Sequence, residues 1–193
     1  MELKAVRTVV LCAGRATRMG FDKLAQPFAG VPLARRLALS LAELEPLIVA
    51  TPAVAEVLRE IPGVRVAMTV PTAGPSATLH LAHGEVRPDQ WLAVLAGDLP
   101  FMDAAHVRAF IERVPEDVDL AWPVVGGVPG HPVVWSPNAR ARIPRLGPDE
   151  SPARVREEPG ALRILALDET DRAFIDDVDT PEAWEAAQAR ALS

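Results

Sequence analysis

The feature that most constrains this chain is an alternation of two hydrophobic periods. Short runs rich in Val, Ile and Leu occur at Val6–Cys12, Leu47–Ala50, 64–69 and Trp91–Ala96. Between and after them, residues 33–44, 53–61, 76–86 and 104–114 carry apolar side chains near helical spacing. Apolar runs without polar alternation predict strands buried on both faces. Strand–helix repetition of this kind closes through right-handed crossovers into a mostly parallel sheet covered on both sides. The expected class is therefore α/β, a three-layer α/β/α fold of Rossmann-like type. Thr51-Pro52 and Thr180-Pro181 each set an N-cap and a first-turn proline ahead of a helix, and Asp103 suits the cap of the helix at 104–114.

After residue 114 the pattern loosens. Leu120–Val125, 132–135, 162–167 and 174–178 read as further strands, some of them antiparallel, and 183–192 as a closing helix. Residues 144–160 are expected to form a mobile surface segment. The 19 prolines and 12 glycines are scattered and mark no linker, so residues 1–193 read as a single domain.

Composition narrows the function classes. The lone Cys12 excludes an intramolecular disulfide framework and a multi-cysteine metal site, and it fits a reducing compartment. Twenty Lys and Arg against 26 Asp and Glu give a formal net charge of −6, which argues against nucleic acid or an anionic membrane as the partner. The apolar run at 9–13 is shorter than a signal-peptide core of roughly 7–15 residues. No stretch approaches the roughly 18 apolar residues of a membrane span. A cytoplasmic location is expected.

The loop after the first strand reads Leu11-Cys12-Ala13-Gly14-Arg15-Ala16-Thr17-Arg18-Met19-Gly20-Phe21-Asp22-Lys23. In a parallel sheet, ligands bind at the carboxyl ends of strands, where this loop begins. Gly14 and Gly20 permit close backbone approach. Backbone N–H groups there, with Arg15, Arg18 and Lys23, suit a polyphosphate. No Gly-Lys-Ser/Thr follows, so this is not a Walker A loop, and it lacks the Gly-x-Gly-x-x-Gly of dinucleotide sites. The bland alternative is a surface turn with solvated charges.

Two acidic segments follow. The strand Trp91–Ala96 runs into Gly97-Asp98-Leu99-Pro100, which sets an aspartate at a strand's carboxyl end beside the phosphate loop. That arrangement suits Mg²⁺, which takes one or two carboxylates together with phosphate oxygens. Near the end of the chain, Asp176-Asp177-Val178-Asp179 repel one another unless a cation or solvent compensates. On a strand, Asp177 and Asp179 would share one face, with Asp176 on the other. A strand end followed by a helix cap reads the same residues without a metal.

The first loop resembles the signature of nucleotidyltransferases that pair Leu-x-Ala-Gly with Arg-Met-Gly and a lysine three residues later. The continuation Gly30-Val31-Pro32-Leu33 is also similar to that family. Nearly the whole chain most resembles its molybdenum-cofactor branch, which transfers a nucleotide to the phosphate of molybdopterin. The resemblance implies that Arg18 and Lys23 hold the triphosphate while Ala13 and Gly14 lie against the base, with Leu11, Cys12 and Arg15 in the same nucleotide loop. Gly97-Asp98-x-Pro corresponds to the family's second motif, which implies Asp98 as its metal ligand. The Asp-x-Asp-Thr-Pro-Glu ending implies a second acidic ligand, with Asp177 chosen and Asp179 as the alternative.

The resemblance bears on specificity as well. The segment 71–78 corresponds to the family's Gly-and-Ser nucleotide loop, which implies nucleotide contacts from Gly74 and Ser76; ordinary helix capping by Ser76 is the alternative. Gly130-His131-Pro132-Val133 is similar to the cytidylyltransferase branch; His131 is a candidate contact for the acceptor's phosphate, with a structural histidine as the alternative. Ala13, where the guanylyl branch tends to carry glycine, points the same way. The family's Gly-Asp-x-Gly segment is replaced by Gly147-Pro148-Asp149-Glu150-Ser151. The expected activity is Mg²⁺-dependent nucleotidyl transfer from a nucleoside triphosphate, CTP in preference to GTP, to a phosphorylated acceptor such as molybdopterin. The alternatives are a guanylyltransferase using GTP, a sugar- or alcohol-phosphate nucleotidyltransferase, a nucleotide-binding regulatory module without catalysis, and an oxidoreductase on a similar scaffold.

Overall fold

A computed structural model describes residues 6–14, 22–72, 74–157 and 162–192. Among these, eight strands build one mixed sheet. β1 (Val6–Cys12) lies inside it and pairs in parallel with β4 (Leu47–Ala50) on one side and β6 (Trp91–Ala96) on the other. β5 (Arg65–Met68) extends the parallel part to one edge. Beyond β6, β9 (Val133–Trp135) runs antiparallel to both β6 and β7 (Leu120–Val125), and β10 (Ile164–Glu169) closes the other edge parallel to β7. β8 (Val128–Pro129) turns back on β7, while β2 (Pro27–Phe28) and β3 (Val31–Pro32) form a separate small hairpin. This is the α/β architecture that the alternating periods predict.

Side chains of β1 alternate between two cores, as a strand's period of two requires. Val10 and Cys12 pack with α1 (Leu33–Leu41), α2 (Pro52–Val57), α4 (Ala104–Glu112) and α6 (Pro181–Leu192). Val9 and Ala13 pack with α3 (Pro75–Gly84) and α5 (Pro137–Arg140). The α1 crossover leaves β1 over one face, and the α3 crossover enters β6 over the other. The loops leaving β1 toward α1 and β5 toward α3 thus part to opposite faces, and the carboxyl ends of β1 and β6, which are paired in parallel, border the crevice there, the usual ligand position in such sheets. No helix among the described residues is long and apolar enough to cross a membrane.

Arg140 bolts the second layer in place. Its guanidinium, 1% exposed, donates to the carbonyls of Arg87 (2.7 Å), Val86 (3.1 Å), His83 (3.3 Å) and Gln90. These are carbonyls left over at the end of α3 and in the turn before β6.

Three expectations need correction. β5 is not buried on both faces: it is an edge strand, with Arg65, Val66 and Met68 exposed. Residues 174–178 form no strand. Asp171 caps a 3-10 turn at Arg172–Phe174 through Ala173 N–H (2.8 Å), Ile175 and Asp176 N–H groups both close on Arg172 O, and β10 holds the place beside β7. The segment after Pro144 is anchored in its described part, since Leu146 and Val155 are buried in the α3-side core.

Candidate active site

β1 delivers the chain into the crevice at Ala13 and Gly14, and β6 delivers Asp98, two residues beyond its end. Gly97 is required at that exit: a Cβ there would stand 2.5 Å from Cys12 Sγ and 3.0 Å from Leu11 O. The absent side chain lets the β6 exit lie against β1. Lys23, opening a 3-10 turn capped by Asp22, reaches the same place from the other side of the first loop.

There the Lys23 ammonium meets Asp98 Oδ2 at 2.7 Å, Asp179 Oδ1 at 2.5 Å and the Val178 carbonyl at 3.2 Å. Burial disfavours the charged amine, but Asp98 and Asp179 outweigh it and hold the Lys23 pKa above its ordinary value. Asp177 keeps much of its own surface exposed. Even so, desolvation by the surrounding chain, then the charges of Asp98 and Asp179, push its carboxyl up. Asp176 is drawn away by Arg172 (2.7 Å) and Arg190 (2.5 Å). The acidic run is thus divided as strand alternation would divide it, although no strand is present. Asp98, Asp177 and Asp179 share one electrostatic neighbourhood, and the single ammonium of Lys23 lies within it.

Asp98 Oδ1 is buried and has no hydrogen-bond partner among the described residues. A buried carboxylate oxygen left so is costly unless a ligand completes it. All-oxygen donors of this kind fit a hard divalent cation. No group of three or more His, Cys, Asp or Glu among the described residues is gathered to hold an ion alone. Two carboxylates completed by phosphate oxygens match the habit of Mg²⁺.

The other predicted residues that are described have the following places. Gly14 forms a parallel bridge with Thr72, and the Ala13 carbonyl accepts from Thr72 N–H (2.8 Å) and Thr72 Oγ1 (3.0 Å). Ala13 has no exposed surface, and its methyl belongs to the α3-side core. Leu11 is partly exposed; Cys12 is buried, and burial followed by the charge of Asp98 pushes its thiol pKa well up, so it stays a neutral packing residue. Gly74 caps α3, and Ser76 is fully buried with Oγ donating to Glu150 O (2.7 Å), a tie to the 147–151 turn where sequence reasoning offered nucleotide contact or helix capping. His131 sits across the crevice; burial lowers its pKa against the pull of Val94 O and Asp98. The neutral ring donates Nδ1–H to Val94 O (3.2 Å) and leaves Nε2 as an acceptor. Arg15 and Arg18 lie outside the described residues. Sequence reasoning missed Thr72, whose hydroxyl pins the loop after β5 to the end of β1; a threonine between Pro71 and Gly74 was the available signal.

Residues 8–168 match the MobA-like NTP transferase domain. A curated relative, the bifunctional protein GlmU of Novosphingobium aromaticivorans, is 33% identical over 128 residues, 63% of this chain and 28% of that protein. The chain thus spans about a quarter of that relative's length. Among solved structures, a homologue of Mycobacterium tuberculosis rv0371c from Mycobacterium sp. strain JC1 superposes with a TM-score of 0.79 at 24% identity, covering 97% of each chain. Rv0371c from M. tuberculosis in complex with manganese gives 0.72 at 20%, over 95% of this chain and 98% of that one. Molybdopterin-guanine dinucleotide biosynthesis protein A from Archaeoglobus fulgidus gives 0.75 at 16%, over 96% and 98%. At these identities the superpositions establish the fold. The match over 8–168 goes further: this chain belongs to the MobA-like NTP transferase domain family.

Proposed function

We propose that this chain, acting as one nucleotidyltransferase domain over residues 1–193, transfers a nucleoside monophosphate from a nucleoside triphosphate to a phosphorylated acceptor, releasing pyrophosphate. The observation that carries this reading is the Lys23–Asp98–Asp179 contact at the carboxyl ends of β1 and β6, with Asp98 Oδ1 left unpartnered. Family membership supports the reaction class, and the manganese in Rv0371c supports a divalent cation.

In this reading Asp98, with Asp177 or Asp179, would hold Mg²⁺, which when bound would supply charge neutralisation at the α-phosphate. The chain's own residues do the rest. Before nucleotide arrives, Lys23 compensates Asp98 and Asp179; the triphosphate then offers it stronger anionic partners, shared with Arg18 and Arg15. Gly14, Thr72 and Gly74 line the nucleotide side, held in register by the Ala13–Thr72 bonds. A phosphate acceptor is already ionised near neutral pH, so the attack in line needs no general base, and positioning provides most of the acceleration. His131 faces the acceptor side, where an anionic phosphate beside Nε2 would favour the imidazolium.

We assign CTP ahead of GTP and molybdopterin as the acceptor, on the Ala13 and Gly130–Val133 resemblances. Because the Ala13 methyl is buried, its influence on a base runs through the spacing of Gly14 and Thr72. A difference of this size is worth about 1–3 kcal/mol, so a preference of roughly 10–200-fold is expected. Pyrophosphate release from each of the four ribonucleoside triphosphates, with and without molybdopterin, tests this. A kcat/KM for GTP equal to or above that for CTP overturns the nucleotide assignment. Equal rates without molybdopterin overturn the acceptor.

A further inference from the structure

Away from the crevice, His106 on α4 has both ring nitrogens facing carboxylates. Nδ1 lies 2.7 Å from Asp103 Oδ1, which also caps the helix by accepting His106 N–H at 2.9 Å. Nε2 lies 3.2 Å from Asp171 Oδ2. A neutral imidazole can donate from only one nitrogen, so this geometry is fully satisfied by the imidazolium alone. Asp171 in turn begins the 3-10 turn Arg172–Phe174, and the Phe174 ring stands edge-on to His106 with centroids 5.5 Å apart.

That turn feeds both sides of the crevice. Phe174 O accepts His131 N–H at 2.9 Å and fills the space where a Gly130 side chain would stand. Three residues further on the chain reaches Asp177, then Val178 O and Asp179, which hold Lys23. We infer that His106 is a positioning residue: its imidazolium, clasped between Asp103 and Asp171, fixes the turn that sets the acidic segment 176–179 and the backbone of His131. This rests on the reaction reading given above and adds to it a residue outside the crevice.

Asp103 from its own helix and Asp171 from the 3-10 turn face the ring, and Arg190 of α6 acts on Asp171. Burial opposes the charged ring, but the two carboxylates prevail and raise the His106 pKa. The folded chain therefore binds this proton more tightly than the unfolded chain. The clasp is complete below the ordinary imidazole range and is lost as pH rises through the raised value.

Amide hydrogen exchange over residues 173–179, expressed as protection factors between roughly pH 6 and 9 to bracket imidazole titration, reads the turn without reference to turnover. Pyrophosphate release is followed in parallel. In the wild type, protection falls as His106 deprotonates. His106→Ala has low protection throughout, and its kcat falls roughly tenfold while KM for the triphosphate stays within about twofold, the signature of misplacement rather than lost binding. In Asp171→Asn, a neutral ring donates Nδ1–H to Asp103 and accepts from the Asn amide, so the alkaline fall disappears. Protection over 173–179 that is indifferent to His106→Ala, or an Asp171→Asn profile that keeps the wild-type fall, overturns the inference. Wild-type protein that releases no pyrophosphate from any triphosphate overturns the reaction reading instead, and the exchange data then decide the turn by themselves.

Discussion

On the β1–β6 side of the crevice, Asp98 and Gly14 sit within two residues of the strands that carry them, and those strands are buried, parallel and hydrogen-bonded along their length. On the β7–β9 side, His131 stands before a three-residue strand, and its backbone is held by Phe174 from a distant turn. The first side is rigid by construction and can present charged groups at little structural risk. The second is assembled from contacts between remote segments, so its chemistry and its folding are coupled. Substitutions on the first side should therefore alter chemistry with the fold intact, and those on the second should alter stability first.

The largest expected stability effect lies where α5, which follows β9, is tied to the turn before β6. Arg140→Met keeps most of the volume but takes the guanidinium donor from four carbonyls, of which Arg87 O keeps the Gln90 N–H, and should cost about 3 kcal/mol in denaturant unfolding. A loss under ~0.5 kcal/mol would mean that water replaces the guanidinium. Next comes Gly130→Ala, whose new methyl overlaps Phe174 O and must displace the turn. A loss of about 1–3 kcal/mol is expected, with turnover falling as well. Full turnover in that variant would separate the turn from the site and weaken the comparison.

Lys23→Ala acts on the first side, in a partly exposed ion pair. Removing the ammonium frees Asp98 and Asp179 for a divalent cation, so nucleotide-free protein should bind Mn²⁺ about fivefold more tightly, the equivalent of ~1 kcal/mol. It should also lose triphosphate use more than nucleoside monophosphate binding. Weaker Mn²⁺ binding would show that Lys23 organises the carboxylates rather than competing for them. The smallest effect belongs to the exposed β5 edge, where Met68→Lys should stay within about 0.5 kcal/mol of wild type. A larger loss would mean that something covers this edge.

Legibility in the sequence follows the same division. The parallel strands were readable because buried strands write themselves as unbroken apolar runs, and Asp98 was readable because it closes one. β5 misled because an apolar composition does not reveal an edge position. Residues 174–178 misled because Phe and Ile there serve a capped turn packed on α4, with Phe174 O given to His131 rather than to a sheet ladder. Lys23 is singled out by the first-loop motif, but the carboxylates it contacts lie far along the chain, and no local spacing points to them. Half of the His106 clasp is written as an aspartate cap three residues ahead of it; the other half, Asp171, is joined only by the fold.

The proposed site of reaction is the set of carboxylates around Lys23. Asp98→Asn tests it most directly, because the side chain keeps its shape and loses only its charge. The measurement is pyrophosphate release at saturating Mg²⁺ with CTP and molybdopterin, paired with the thermal melting midpoint of the same preparation. A fall of roughly 10²–10³-fold in turnover is expected, with melting shifted by no more than about 4 °C, the equivalent of ~1 kcal/mol. Turnover within a few-fold of wild type in the folded variant would contradict it.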